Sequence, residues 1–126
     1  ALPISTQAAP KENPAQAEIE RKKQEEICEK DRQGRLEKYS FAAQSACQIV
    51  VEKLPKYEYE WIDGLMDQKF SEVRWSDFDA GIILVAGDKI KFQNGFGAYQ
   101  NHRYGCEINV STGEFLDVFA EPGRFN

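Results

Sequence analysis

The chain has 126 residues, 41% of them hydrophobic and 29% charged, with a net charge of −5. That length is one domain with one core, and the composition is that of a globular chain rather than a disordered one. The negative balance disfavours non-specific nucleic-acid binding, and no apolar run approaches the ~18 residues that a membrane-crossing helix needs.

The chain begins Ala1-Leu2-Pro3-Ile4-Ser5-Thr6, and its one Met is Met66. Such a beginning suits the mature end left by a signal peptidase, so a periplasmic or secreted protein is expected. Residues 1–16 hold Pro3, Pro10 and Pro14 among Ala, Gln, Ser and Thr, which reads as a flexible Pro/Ala-rich tail. Residues 17–35 read as a charged helical appendage: Ala17 to Gln33 are good helix formers with opposite charges three or four apart. Its apolar stripe is thin, only Ile19, Ile27 and Cys28, so it is expected either to stay solvated or to dock on another chain. Gly34 is expected to break or bend it.

Residues 36–126 read as the compact domain. Over 36–54, Tyr39, Ala43, Ala46, Cys47, Val50 and Leu54 recur near a 3.6-residue period and make one face of a second helix, which Pro55 ends. Tyr57-Glu58-Tyr59-Glu60-Trp61 then alternates aromatic and acidic side chains, a half-buried strand, and Asp63-Gly64 turns the chain. Phe70 to Trp75 reads as a second strand. Ile82 to Val85 is a short β-rich run, Gly87-Asp88 a turn, and Lys89 to Gln93 alternates again. Asn94 to Gly97 is a turn or bulge, Tyr99 to Val110 a long strand, Ser111 to Gly113 a hairpin loop and Glu114 to Glu121 its return. Helices first, then strands on short connections, predict an α+β fold: N-terminal helices packed on one face of an antiparallel sheet of four or five strands.

The three cysteines, Cys28, Cys47 and Cys106, permit three pairings by spacing alone. Cys47 lies on the inner face of the second helix and Cys106 in a strand of the sheet it covers, so Cys47–Cys106 is the favoured bridge. Cys28 is then left free or pairs with another chain.

The familiar chemistries find little purchase. His102 is the only histidine, and the cysteines are too dispersed for a zinc knuckle. Asp77, Asp79 and Gly81 echo a calcium loop, but Ile82 and Asp88 stand where that loop needs Gly and a bidentate Glu. Asn94 to Ala98 is Gly-rich without the following helix that a phosphate cradle requires. No nucleophile stands beside a base in sequence, a Cys28–His102 pair has no local support, and the carboxylate pair Glu58 and Glu60 lacks a cleft to work in. No catalytic group, cofactor or metal is therefore expected.

Two stretches suit protein contact. The segment 57–79 carries seven acidic and two basic residues around six aromatic side chains, and it holds the whole charge imbalance. The loop from Asn94 to His102 displays Phe96 and Tyr99. With the thin helical stripe these nominate Ile19, Ile27, Tyr59, Trp61, Phe96 and Tyr99 as partner-binding residues.

Residues 42–126 resemble small exported bacterial proteins of unknown function. The resemblance is carried by Ala42 to Val51, Gly87 to Ala98, the strand with Tyr104-Gly105-Cys106 and the ending Glu121-Pro122-Gly123-Arg124. It implies a recurring helix cysteine and strand cysteine and brings no activity with it. The expectation is a non-enzymatic accessory or interaction protein of the bacterial envelope with another protein as partner. The alternatives are an inhibitor or immunity protein that blocks a cationic enzyme through the 57–79 surface, and a small ligand-binding domain or enzyme with a pocket between helix and sheet.

Overall fold

In a computed structural model of the protein, residues 13–65 and 67–125 are described, and contacts divide the chain into two units, Ala1–Gln33 and Gly34–Asn126. A single helix, α1 (Pro14–Val51), stands where two were expected. Its start is set locally. The Asn13 carboxamide accepts a hydrogen bond from Ala15 N at 3.0 Å, and Pro14 takes the first helical position, where its missing N–H costs nothing. The helix thus begins inside the expected tail, whose residues 1–12 lie outside the described ones. Gly34 neither breaks nor ends α1. Nothing occupies the space its Cβ would fill, so only its weak propensity, about 1 kcal/mol against Ala, opposes the helix there.

In the first unit every residue from 18 to 33 is exposed. Side-chain pairs one turn apart stitch this helical stretch, Arg21 to Glu25 at 3.0 Å and to Glu18 at 3.5 Å.

In the second unit α1 packs against an antiparallel sheet of five strands: β1 (Tyr59–Trp61), β2 (Glu72–Asp77), β3 (Ile82–Gln93), β4 (Tyr99–Asn109) and β5 (Glu114–Pro122). β3 is the spine. One of its edges carries β4, and β5 follows. The other edge is shared by β2, opposite Ile82–Ala86, and β1, opposite Ile90–Phe92. Helix residues four apart, Ala43, Cys47 and Val51, are the buried ones and meet Ile83, Val85, Ile90, Tyr104, Cys106 and Ile108 in the core. Val51 therefore takes the place expected for Val50, and Leu54 falls beyond the helix end and is exposed.

Cys47 and Cys106 are joined in a disulfide, Cα atoms 5.8 Å apart, which pins α1 to β4. Cys28 is free and exposed.

The expected turn at Gly87-Asp88 does not exist; β3 runs straight through it, with a register irregularity against β4 between Gly87 and Ile90. The glycine serves close approach instead of turning. A Cβ on Gly87 would strike the Lys69 carbonyl oxygen and come within 2.6 Å of the Tyr104 hydroxyl. That hydroxyl donates to the Lys69 carbonyl and accepts from Lys89 N at 3.3 Å. Trp61 and Phe70 meet the Tyr104 ring edge-on, at 5.3 and 5.5 Å between centroids.

Candidate functional site

The site lies past the C-terminal end of α1, which stops at Val51. Past Val51 the sheet goes on without a helix over it. The bare floor is Phe92 of β3, Gln100 and His102 of β4, and Val118 and Ala120 of β5; the turn Leu54–Tyr57 makes one wall and the β3–β4 hairpin tip another. The result is an open groove of about 730 Å³.

Each wall has a local cause. Asn94 ties the hairpin tip: its Oδ1 accepts from Phe96 N at 2.8 Å and Ala98 N at 3.1 Å, and its own N–H donates to Ala98 O at 2.7 Å. Gly97, at φ 85°, closes the turn where an L side chain would be strained. The knot leaves Phe96 98% exposed at the tip. Tyr57 lies over Gly95, its hydroxyl 3.2 Å from where a Cβ would stand. His102 stacks on Phe92 at 4.4 Å between centroids, and its Nδ1 donates to Gln100 O at 2.9 Å.

Chemically the groove mixes apolar surface, from Leu54, Phe92, Val118, Phe119 and Ala120, with polar and charged groups, from Lys56, Gln100, His102 and Glu121. Its lining includes no Ser, Thr or Cys beside His102. Among the described residues no cluster of three His, Cys, Asp or Glu is placed to hold a metal ion. Among the described residues the strongly perturbed group is outside the groove: burial, above all, pushes the Tyr104 hydroxyl well above the usual tyrosine range, with Asp88 and Asp63 adding to the push.

The nominated residues separate into three places. Tyr59, Phe96 and Tyr99 are exposed at the hairpin end of the sheet, where β1 and β4 pair with the last residues of β3; Tyr59, opposite Phe92, and Tyr99, opposite Gln93, project from opposite faces. Trp61 turns into the core and donates its Nε1–H to Glu52 at 2.7 Å. Ile19 and Ile27 are exposed on α1 in the first unit. Within the acidic stretch, Asp63 is paired with Lys69 at 2.7 Å, Glu72 with Arg74 at 2.6 Å, and Asp77 caps a turn by accepting from Ala80 N at 3.1 Å. Three of its carboxylates therefore already have work inside the chain. Sequence reasoning missed Leu54, Phe92, Val118 and Ala120 as groove residues: Leu54 was expected on the buried helix face, and the other three are apolar positions within expected strands. No local window contains a signal that joins them, since they come from the turn after α1 and from separate strands.

In comparison with known proteins, the chain matches no family model, no curated protein and no solved structure.

Proposed function

We propose that the protein is a non-enzymatic interaction protein of the bacterial envelope, periplasmic or secreted, which engages another protein through the aromatic hairpin end of its sheet. The observation that carries this reading is the exposure of four aromatic side chains at the hairpin end of the sheet, Tyr57, which lines an open groove, and Tyr59, Phe96 and Tyr99, each exposed by a third or more of its surface. Holding such rings in water forgoes the gain of burying them, about 1.5–3 kcal/mol for a side chain of that size. Aromatic side chains are the usual anchors of protein interfaces because they bring large area with few rotatable bonds. The Cys47–Cys106 bridge supports the compartment, since such bonds persist where the surroundings are oxidising. Among the described residues no helix is long and apolar enough to cross a membrane.

Site-specific photocrosslinking in the source cells tests both halves. A crosslinking residue at Phe96 or Tyr99 is expected to capture a second protein, and one at Thr112, in the hairpin loop at the other end of β4, is not. Adducts from position 112 alone, or from none of the three, would sink the reading. Release of the protein with the periplasmic or secreted fraction checks the compartment, and retention with the cytoplasm refutes it.

The groove itself favours one second reading, small-molecule binding, because about 730 Å³ is the size of ordinary ligand pockets. Native mass spectrometry of protein purified from source separates the two. A retained small molecule supports the second reading, and a co-purifying chain the first.

A further inference from the structure

β5 ends the sheet: it pairs with β4, and among the described residues no strand lies on its other side. The ladder tells which of its backbone groups point outward. Gly123 N donates to Asn101 O at 2.8 Å, and in antiparallel pairing bonded and non-bonded positions alternate. Residues 117, 119 and 121 thus spend their N–H and C=O on β4, while Val118 and Ala120 turn theirs to the open edge. Pro122, next in that outward series, has no N–H to turn, which is where an edge strand tolerates proline. Leu116 is skipped by the register, which runs Ile108–Phe115 and then Glu107–Asp117, so the usable edge begins after this bulge.

The two faces flanking that edge differ. On the helix side Val118 and Ala120 line the groove, which also reaches the edge residues Phe119 and Glu121. On the other side Asp117 stands directly opposite Glu107, two carboxylates on neighbouring strands, and neither is in an ion pair among the described residues. Like charges in that position repel, and a cation between them would relieve both.

We propose that β5 accepts an extended segment of a partner protein as a sixth strand, with apolar side chains alternating with basic ones. The apolar residues lie opposite Val118 and Ala120 and enter the groove; a Lys or Arg lies opposite Asp117 and meets the Glu107–Asp117 pair. Backbone bonds to Val118 and Ala120 supply the affinity and the alternation supplies the selection. Antiparallel β5–β5 pairing of two copies centred on Phe119 is disfavoured, because it sets Asp117 against Glu121. The inference rests on the reading of the protein as an interaction module and names the chemistry of its partner.

The test uses the whole protein and a capped seven-residue peptide of alternating valine and lysine. Amide hydrogen exchange at Val118 and Ala120 is expected to slow about tenfold or more in excess peptide, with Asp117 and Phe119 unchanged. Replacing lysine by glutamate in the peptide, methylating its alternate backbone nitrogens, or making Asp117→Lys in the protein should each abolish the slowing. Ala120→Pro, which removes an outward N–H at an edge position, should abolish the slowing at Val118, with unchanged exchange at Phe119 showing that the β4–β5 ladder is kept. No slowing, equal slowing with the N-methylated or glutamate peptide, or a concentration-dependent dimer through β5 overturns the proposal. Because the N-methylated peptide requires no variant, misfolding of a variant cannot mask the result. Capture of a partner from Phe96 together with a failed peptide test would remove the sixth strand and leave the interaction reading standing.

Discussion

Tyr104 shows how much one side chain can be asked to do. Its hydroxyl satisfies the Lys69 carbonyl and the Lys89 N–H, and its ring takes edge-on contacts from Trp61 and Phe70. Tyr104→Phe keeps the ring and strands both backbone groups, so it should cost about 1–3 kcal/mol in urea unfolding. The pH dependence has a definite sign. Burial raises the hydroxyl's pKa in the folded state above the unfolded value of about 10. The neutral form therefore contributes in full below that pH, and the contribution drains away as pH rises through and beyond it. Stability measured between neutrality and strong alkali should fall less steeply in Tyr104→Phe than in the native protein; equal slopes would show that Tyr104 is not the group responsible. Gly87 belongs to the same cluster. Gly87→Ala has no room without displacing the Lys69 backbone or the Tyr104 ring, so a loss of several kcal/mol is expected, the range of overpacked cores and broken networks. This also explains why the sequence misleads at Gly87-Asp88. Gly-Asp is turn chemistry locally, and only the partner backbone, distant in sequence, makes it a close-approach position inside a strand.

At the scale of elements the helix–sheet order and the hairpins at Asn94–Gly97 and Ser111–Gly113 were legible, because each is written in periodicity or turn residues within a short window, and the Cys47–Cys106 bridge followed from combining the helix face of Cys47 with the strand of Cys106. The number of helices was not. Gly34 looks like a terminator, yet the helix continues, since both flanks propagate it and no side chain needs the vacant space. Gly34→Ala should therefore raise the helical signal and its thermal resistance, by at most about 1 kcal/mol; a loss would mean that the glycine has a role in a bent state. The bridge that holds α1 to β4 closes a separation of 59 residues, and the chain-entropy estimate for such a loop is about 4 kcal/mol. A domain of this size commonly holds 5–15 kcal/mol in all. Reduction, or the double replacement Cys47→Ala with Cys106→Ala, should move the urea midpoint far down, and Cys28→Ser, at an exposed free thiol, should leave it in place. A reduced protein as stable as the oxidised one would refute the estimate.

The whole molecule is where sequence reading ran out, and for a physical reason. The groove is assembled from the turn after α1, the β3–β4 hairpin tip and three strands, which no local window contains, and its residues Phe92, Val118 and Ala120 carry the same apolar signature as true core. The division of labour between units is a second property of the whole. The buried core and the side chains packed on it begin at Leu36, and no residue from 18 to 33 is even partly buried. Stability should then reside in residues 34–126, and what residues 14–33 contribute should be helix held by its own side-chain pairs, a few tenths of a kcal/mol each. Removing residues 1–30 is therefore expected to reduce the far-ultraviolet helical signal while leaving the thermal midpoint within about 3 °C, since 1 kcal/mol moves a domain of this size by about 4–8 °C. The same truncation separates the two candidate contact regions. If Phe96 still captures its partner without residues 1–30, the hairpin end suffices for recognition. If capture is lost while the midpoint holds, Ile19 and Ile27 belong to the binding surface, and the helix of the first unit is there for the partner and not for the fold.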